Sequence, residues 1–146
     1  MTTLKTFSVI GYAVSVLALV ALFYFHAILS WSPFIITIQV LAIALMVWAR
    51  MTFGWRSFHY AANPTKGGLI TSGPYRFIRH PIYAAIMYFA IAGVAGNLSW
   101  PSAAMLAVVC LGSGVRIFCE ERLLIADYPE YTEYAQRTKR LMPYVF

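Results

Sequence analysis

The sequence predicts an all-α integral membrane protein. Four transmembrane helices form two hairpins, and a cytoplasmic loop and the C-terminal segment close into one polar chamber. Composition, blocking and charge placement predict it. Of 146 residues, 61% are hydrophobic and 11% charged, with a mean hydropathy of +0.70. A soluble domain carries about 25% charged residues, and disorder requires low hydrophobicity with high charge. The apolar residues lie in long blocks rather than the mixed pattern of a soluble core, and apart from Arg116 at the end of the last the charges lie outside those blocks. The chain reads as one membrane domain, residues 1–146.

The first block, residues 7–29, is long enough to span alone, since a crossing needs about 20 residues. It is too long for a cleavable signal, and no small-residue cleavage site follows. The second, residues 33–49, and the third, residues 82–97, are shorter and would be met by little tilt or a thinned bilayer. The fourth covers residues 101–119. Pro33, Pro81 and Pro101 stand at the starts of blocks two, three and four, where a missing N–H costs nothing. Ala92 and Gly96, four apart in block three, would let a neighbouring helix approach closely. The aromatic-rich residues 50–62 read as an interfacial segment, with Trp48 and Trp55 at the inner interface and Trp31 and Trp100 at the outer turns. His26 reads as an interfacial or packing residue at the end of the first block.

Charge sets the orientation. Lys5 precedes the first block. Arg50, Arg56, Lys66, Arg76 and Arg79 lie between the second and third. Arg116, Arg122, Arg137, Lys139 and Arg140 lie at or after the end of the fourth, and the two outer turns carry no charge. The positive-inside rule then places both termini and the long middle loop in the cytoplasm. The membrane is expected to be a prokaryotic plasma membrane. Cys110 and Cys119 would lie about 13 Å apart along one helix, too far to pair. No CxxC, CxxxH or HExxH spacing occurs and the histidines are scattered, so no metal site is expected. Basic residues at a membrane face do not point to nucleic acid.

All the acids fall between Glu120 and Glu133, while residues 50–79 hold bases and no acid. Two readings fit this split: a topology signal alone, or two cytoplasmic segments closing over each other. The densest segment is Thr71-Ser-Gly-Pro-Tyr-Arg-Phe-Ile-Arg-His-Pro-Ile-Tyr83. Gly73-Pro74 signals a turn. Pro81 opens a helix whose free N–H groups and partial positive charge suit an anion; a loop edge marked by Arg79 is the plainer reading. The second segment is Arg116-Ile-Phe-Cys-Glu-Glu121. Arg116 and Glu120 share a helix face, and Glu121 points about 140° away from Arg116. An ionisable residue near membrane depth is a functional candidate; an ordinary helix-end ion pair is the alternative. Tyr131 and Tyr134 share a face in the tail and suit an interface anchor or a cofactor wall.

These segments, in order, resemble the signature of the isoprenylcysteine carboxyl methyltransferase and phospholipid methyltransferase superfamily. The resemblance also rests on Leu124, Tyr128-Pro-Glu-Tyr131-x-x-Tyr134 and Arg140-Leu-Met-Pro143, and covers residues 67–146. It implies an integral membrane enzyme that uses S-adenosylmethionine. Carried over by position, Leu69, Ile70 and Tyr75 would line the nucleoside site. His80, Pro81, Ile82 and Tyr83 would meet the amino-acid end, with Arg79 and Tyr131 in the same cofactor region. Glu120 would face the cofactor's positive charge, and Arg116 would orient the acceptor, so the catalytic pair is Arg116 and Glu120. The substrate implied is a lipophilic or lipidated molecule at the membrane, with a prenylcysteine-like carboxylate foremost. A phospholipid amine N-methyltransferase and an NADPH-dependent reductase of the sterol-reductase type are the alternatives. The oligomeric state is open.

Overall fold

The structure is a computed structural model that describes residues 2–54 and 68–143. The sequence expectations for Trp55, Arg56, Lys66 and the rest of residues 55–67 lie outside these, as does the end of the resembling stretch, residues 144–146. Five α-helices are described: α1 (Thr2–Tyr24), α2 (Pro33–Phe53), α3 (Pro81–Gly96), α4 (Trp100–Asp127) and α5 (Tyr131–Arg137), with a 3-10 turn at Gly73–Arg76. Among the described residues there is no strand, only one parallel bridge between Ile78 and Lys139. α1, α2 and α4 are long and apolar enough to cross a membrane. α3 is apolar but has 16 residues, about 24 Å against a hydrocarbon core of about 30 Å.

Helix ends differ from the apolar blocks because local backbone chemistry sets them. The first block runs to residue 29, yet α1 stops at Tyr24. His26 adopts φ 53°, its N–H donates to Phe23 O at 3.0 Å, and Ala27 N–H donates to Leu22 O at 2.9 Å. That is the Schellman pair of bonds around a left-handed residue. α2 passes the end of its apolar block and stops at Gly54, φ 70°, whose N–H bonds to Arg50 O. Arg50 in the last turn suits the negative helix end. α4 continues eight residues past its block to Asp127, with no proline or glycine to stop it. Tyr128 then turns extended, φ −128° and ψ 101°, as a residue before proline prefers. At its start, Ser99 and Ser102 form a reciprocal capping box.

The expected hairpins pack mainly against each other rather than on themselves. α1 lies chiefly against α4, and α2 against α3, with lighter contact between α3 and α4. Small residues explain the exchange. On α1, Ser8, Gly11, Ser15, Ala18 and Leu22 are buried in one stripe. A Cβ on Gly11 would come within 2.8 Å of Gly112 O, so the two backbones touch. Between α2 and α3, a Cβ on Gly96 would meet Ile35 and Ser30 at 2.5 Å, as the spacing predicts. Gly93 lies still closer, under the carbonyl of Ile28. Buried Gln39 adds polar glue, donating to Ile28 O at 2.6 Å and Phe89 O at 3.4 Å. In lipid, such close packing and interhelical hydrogen bonds drive association. Ala18, Leu22, Ala27, Ala90, Val94 and Val109 form the apolar core, and Trp31 and Trp100 remain exposed at the turns.

Candidate functional site

The site begins with a turn that only glycine can make. Gly73 has φ 57°, and a Cβ there would sit 2.5 Å from Thr52 Oγ1. The turn therefore lies tight against the end of α2 and buries Pro74 and Tyr75. The Tyr75 ring packs on Phe53 at 5.5 Å between centroids. Leu69 and Ile70, on the approach to the turn, are half-buried.

The C-terminal tail then straps the loop. Arg79 N–H donates to Lys139 O at 2.7 Å, His80 N–H to Arg140 O at 3.0 Å, and Lys139 N–H to Phe77 O at 3.3 Å. Tyr134 donates from its hydroxyl to Tyr75 O at 2.6 Å, and Tyr88 to Leu141 O at 2.7 Å. These bonds hold residues 75–80 between α3 and the tail.

Two clusters of side chains result. In the first, Glu121 is the hub. Its Oε1 accepts from Arg79 Nε at 3.0 Å and faces His80 Nε2 at 3.3 Å. Its Oε2 accepts from Arg140 Nε at 3.0 Å and Nη2 at 2.9 Å. A carboxylate only accepts, so Nε2 of the buried His80 carries the hydrogen. Arg79 also donates from Nη1 to Ala135 O at 2.8 Å and to Thr138 O. Its guanidinium is thus bonded to the tail and to Glu121, and it joins the basic loop to the acidic end of α4.

In the second cluster, Arg116 donates from Nε to the Tyr83 hydroxyl at 2.5 Å, and that hydroxyl donates to Glu120 Oε2 at 2.9 Å. Arg116 and Glu120 therefore meet through a phenol from α3. Tyr83 also packs edge-on against His80, at 5.7 Å between ring centroids, which couples the two clusters. Pro81 is buried at the start of α3, and Ile82 is half-buried beside it.

The tail supplies an aromatic wall. Tyr131 and Tyr134 pack edge to face at 5.9 Å. Burial is the main cause that pushes the Tyr134 phenol up to about 12, with Arg79 and Thr138 pulling it back. Burial also raises Tyr75, helped by Glu120, and Tyr131, helped by Glu121. All three keep their protons at neutral pH, and Tyr134 uses its own to bond Tyr75 O. The Tyr131 hydroxyl is buried and has no hydrogen-bond partner among the described residues.

The fold thus gathers Tyr75, Arg79, His80, Tyr83, Arg116, Glu120 and Tyr131, while Leu69, Ile70 and Ile82 are half-buried neighbours of these residues in the chain. Sequence reasoning left the roles of Glu121 and Arg79 open; the concentration of acids after residue 119 opposite the basic loop was the available signal. It gave no role to Tyr12 of α1, whose ring lies 4.8 Å from Arg116 Cζ, and nothing in the sequence marked that residue.

Comparison with known proteins gives two similar relatives and one family. The cobalt-zinc-cadmium resistance protein CzcN of Cupriavidus metallidurans is 32% identical over 120 residues, covering 78% of this chain and 52% of that protein. The nickel-cobalt-cadmium resistance protein NccN of Alcaligenes xylosoxydans xylosoxydans is 31% identical over 116 residues, covering 78% of this chain and 53% of that protein. The chain spans about half the length of these curated relatives. The sequence model of one methyltransferase family matches residues 34–126, more than half of the chain, including Tyr83, Arg116, Glu120 and Glu121. This chain belongs to the isoprenylcysteine carboxyl methyltransferase family.

Proposed function

We propose that this chain is an integral membrane enzyme that uses S-adenosylmethionine to methylate a lipophilic acceptor, a carboxylate of the prenylcysteine kind. The observation that carries the reading is the run Arg116–Tyr83–Glu120. It sets a guanidinium and a carboxylate on either side of one phenol, beside a loop strapped by an aromatic tail.

Tyr131 supplies the fit test for the cofactor. An unsatisfied buried donor costs about 1–3 kcal/mol, and a polar ligand group would relieve it. The Tyr131 ring packs on that of Tyr134, whose hydroxyl bonds to Tyr75 O, the carboxylates of Glu121 and Glu120 act on the Tyr131 phenol, and Leu69 and Ile70 lie half-buried on the approach to the Tyr75 turn. This donor and apolar set fits a molecule with a flat base, a hydroxylated sugar and a charged amino-acid end. When bound, the cofactor supplies a methyl group already activated on a sulfonium. Leu69, Ile70 and Tyr75 would hold the nucleoside, and Pro81, Ile82 and Tyr83 would border the amino-acid end. Glu120 would face the positive charge, and Tyr131 would donate a hydrogen bond. Arg79 and His80 would hold this wall through Glu121.

Arg116 would bind the acceptor's anionic group, for which a guanidinium offers directed donors. A carboxylate is ionised at pH 7, its reference pKa being about 4, and needs no base. Alignment of the two reactants is then the main task, worth up to about 7–11 kcal/mol in the best cases. A second reading, methylation of an amine, draws on the Tyr83–Glu120 hydrogen bond, because an amine must lose a proton and a carboxylate can take it.

In this reading one membrane domain crosses four times, the bilayer thinning around α3. Loop and tail close a cofactor chamber on the cytoplasmic side of a prokaryotic plasma membrane, and both termini face the cytoplasm. The test is calorimetry on detergent-purified protein with S-adenosylhomocysteine and NADPH as parallel ligands. Micromolar binding of the first and none of the second is expected. NADPH binding without S-adenosylhomocysteine binding would replace the reading with a reductase.

A further inference from the structure

Tyr12 lies on α1, outside the family-matched residues 34–126. Yet its ring centroid is 4.8 Å from Arg116 Cζ, closer than that of Tyr83 at 6.0 Å. Arg116 is buried, 7% exposed, whereas Tyr12 is 45% exposed. The arginine therefore has aromatic rings from two helices beside it and a hydrogen bond from its Nε to one of them.

The backbone dictates this stack. A Cβ on Gly112 would lie 2.4 Å from Ser15 Oγ and 2.7 Å from Gly11 O, so α1 and α4 touch main chain to main chain at this level. Tyr12 directly follows Gly11, and Arg116 stands one turn beyond Gly112 on the antiparallel helix. The close approach delivers the ring onto the guanidinium. A flat cation stacked on a ring face loses freedom to tilt, and the attraction grows as water is excluded.

We propose that Tyr12 is a positioning residue for the acceptor: it fixes the plane of Arg116, so that α1 forms part of the substrate site. This rests on the reading of Arg116 as the acceptor's anchor. The stacking has a second consequence. Changes that separate the helices, such as Gly112→Ala, should act on acceptor binding as the loss of the ring does.

The test uses the full chain in detergent as wild type, Tyr12→Phe, Tyr12→Leu, Arg116→Gln and the Tyr12→Leu/Arg116→Gln double variant. Affinities are measured for an S-alkyl N-acetylcysteine, a lipophilic carboxylate, and separately for S-adenosylhomocysteine. Tyr12→Leu should weaken the carboxylate about tenfold and leave S-adenosylhomocysteine within about twofold. Tyr12→Phe, which keeps the ring, should bind both as wild type does. The double variant should bind the carboxylate no more weakly than Arg116→Gln alone. Unchanged carboxylate affinity in Tyr12→Leu, equal loss of both ligands, or independent losses in the double variant would overturn the proposal.

If the wild-type chain does not bind the carboxylate, the proposed acceptor has failed, and the contact is read without ligand. The thermal midpoints of wild type, Tyr12→Leu, Arg116→Gln and the double variant then form a cycle. A non-additive cycle, with Tyr12→Phe restoring the midpoint, supports fixation of Arg116; an additive one overturns it.

Discussion

Arg79 and Glu121, 42 residues apart, meet at 3.0 Å in a partly buried ion pair that joins the loop before α3 to the end of α4. Arg140 and His80 complete the ring around the same carboxylate. A carboxylate with this many donors organises both the loop and the tail, and the consequences of removing it follow from burial and charge.

Glu121→Gln leaves two arginines and a histidine facing a neutral amide. Breaking a buried pair from one side costs about 3–5 kcal/mol, so a large drop in thermal midpoint is expected. Arg140 is 43% exposed at its side chain; Arg140→Met should cost no more than about 1 kcal/mol. The reverse order of the two midpoints would show that Glu121 is not the hub.

Tyr83→Phe removes the hydroxyl between Arg116 and Glu120 while keeping the ring against His80. Turnover should fall about 100-fold, the scale of losing one aligned polar contact, with S-adenosylhomocysteine affinity changed far less. Arg116→Ala should abolish turnover with the same binding retained. Kinetics and calorimetry on the same preparations decide this, since a parallel loss of cofactor binding would erase the division of roles.

Tyr131→Phe should act in opposite directions on the free and bound protein. Without ligand, deleting an orphaned buried hydroxyl is neutral or stabilises by about 1 kcal/mol. With S-adenosylhomocysteine, affinity should fall. Thermal midpoints measured with and without ligand test both halves, and a loss of stability in the free protein would mean that the hydroxyl already has a partner.

The raised phenol of Tyr134 gives a pH window. The folded state disfavours its phenolate, so this contribution is complete below the unfolded value of about 10 and is lost as pH rises toward about 12. Alkaline unfolding should steepen in that interval. Tyr134→Phe should flatten it, as read by midpoint against pH.

Gly73→Ala should destabilise the chain by about 1–2 kcal/mol from backbone conformation alone, and further from contact with Thr52. Adding Thr52→Ala should restore only the steric part. Complete rescue would mean that the positive φ carries no cost.

Much of the fold could be read in the sequence because hydropathy and proline act locally. The helix starts at Pro33 and Pro81, and Trp100 one residue before Pro101, agree with the apolar blocks. The close approach at Gly96 follows from residue size alone. The His26 cap and the eight-residue extension of α4 escaped hydropathy because hydrogen bonds and extended backbone, rather than apolarity, end those helices.

The sequence by itself determined that this chain belongs in a membrane, that all its acids follow residue 119 while residues 50–79 hold bases and no acid, and that Tyr83, Arg116 and Glu120 belong to a family signature. Only the tertiary structure decided how they meet. Helix partners are chosen by surface fit, which brings α1 to α4 rather than to its neighbour in the chain. Backbone contact at Gly11 and Gly112 then places Tyr12 over Arg116. Likewise Glu121, one residue from Glu120, turns to a different face and collects Arg79, His80 and Arg140, because a buried carboxylate needs donors from wherever the fold supplies them.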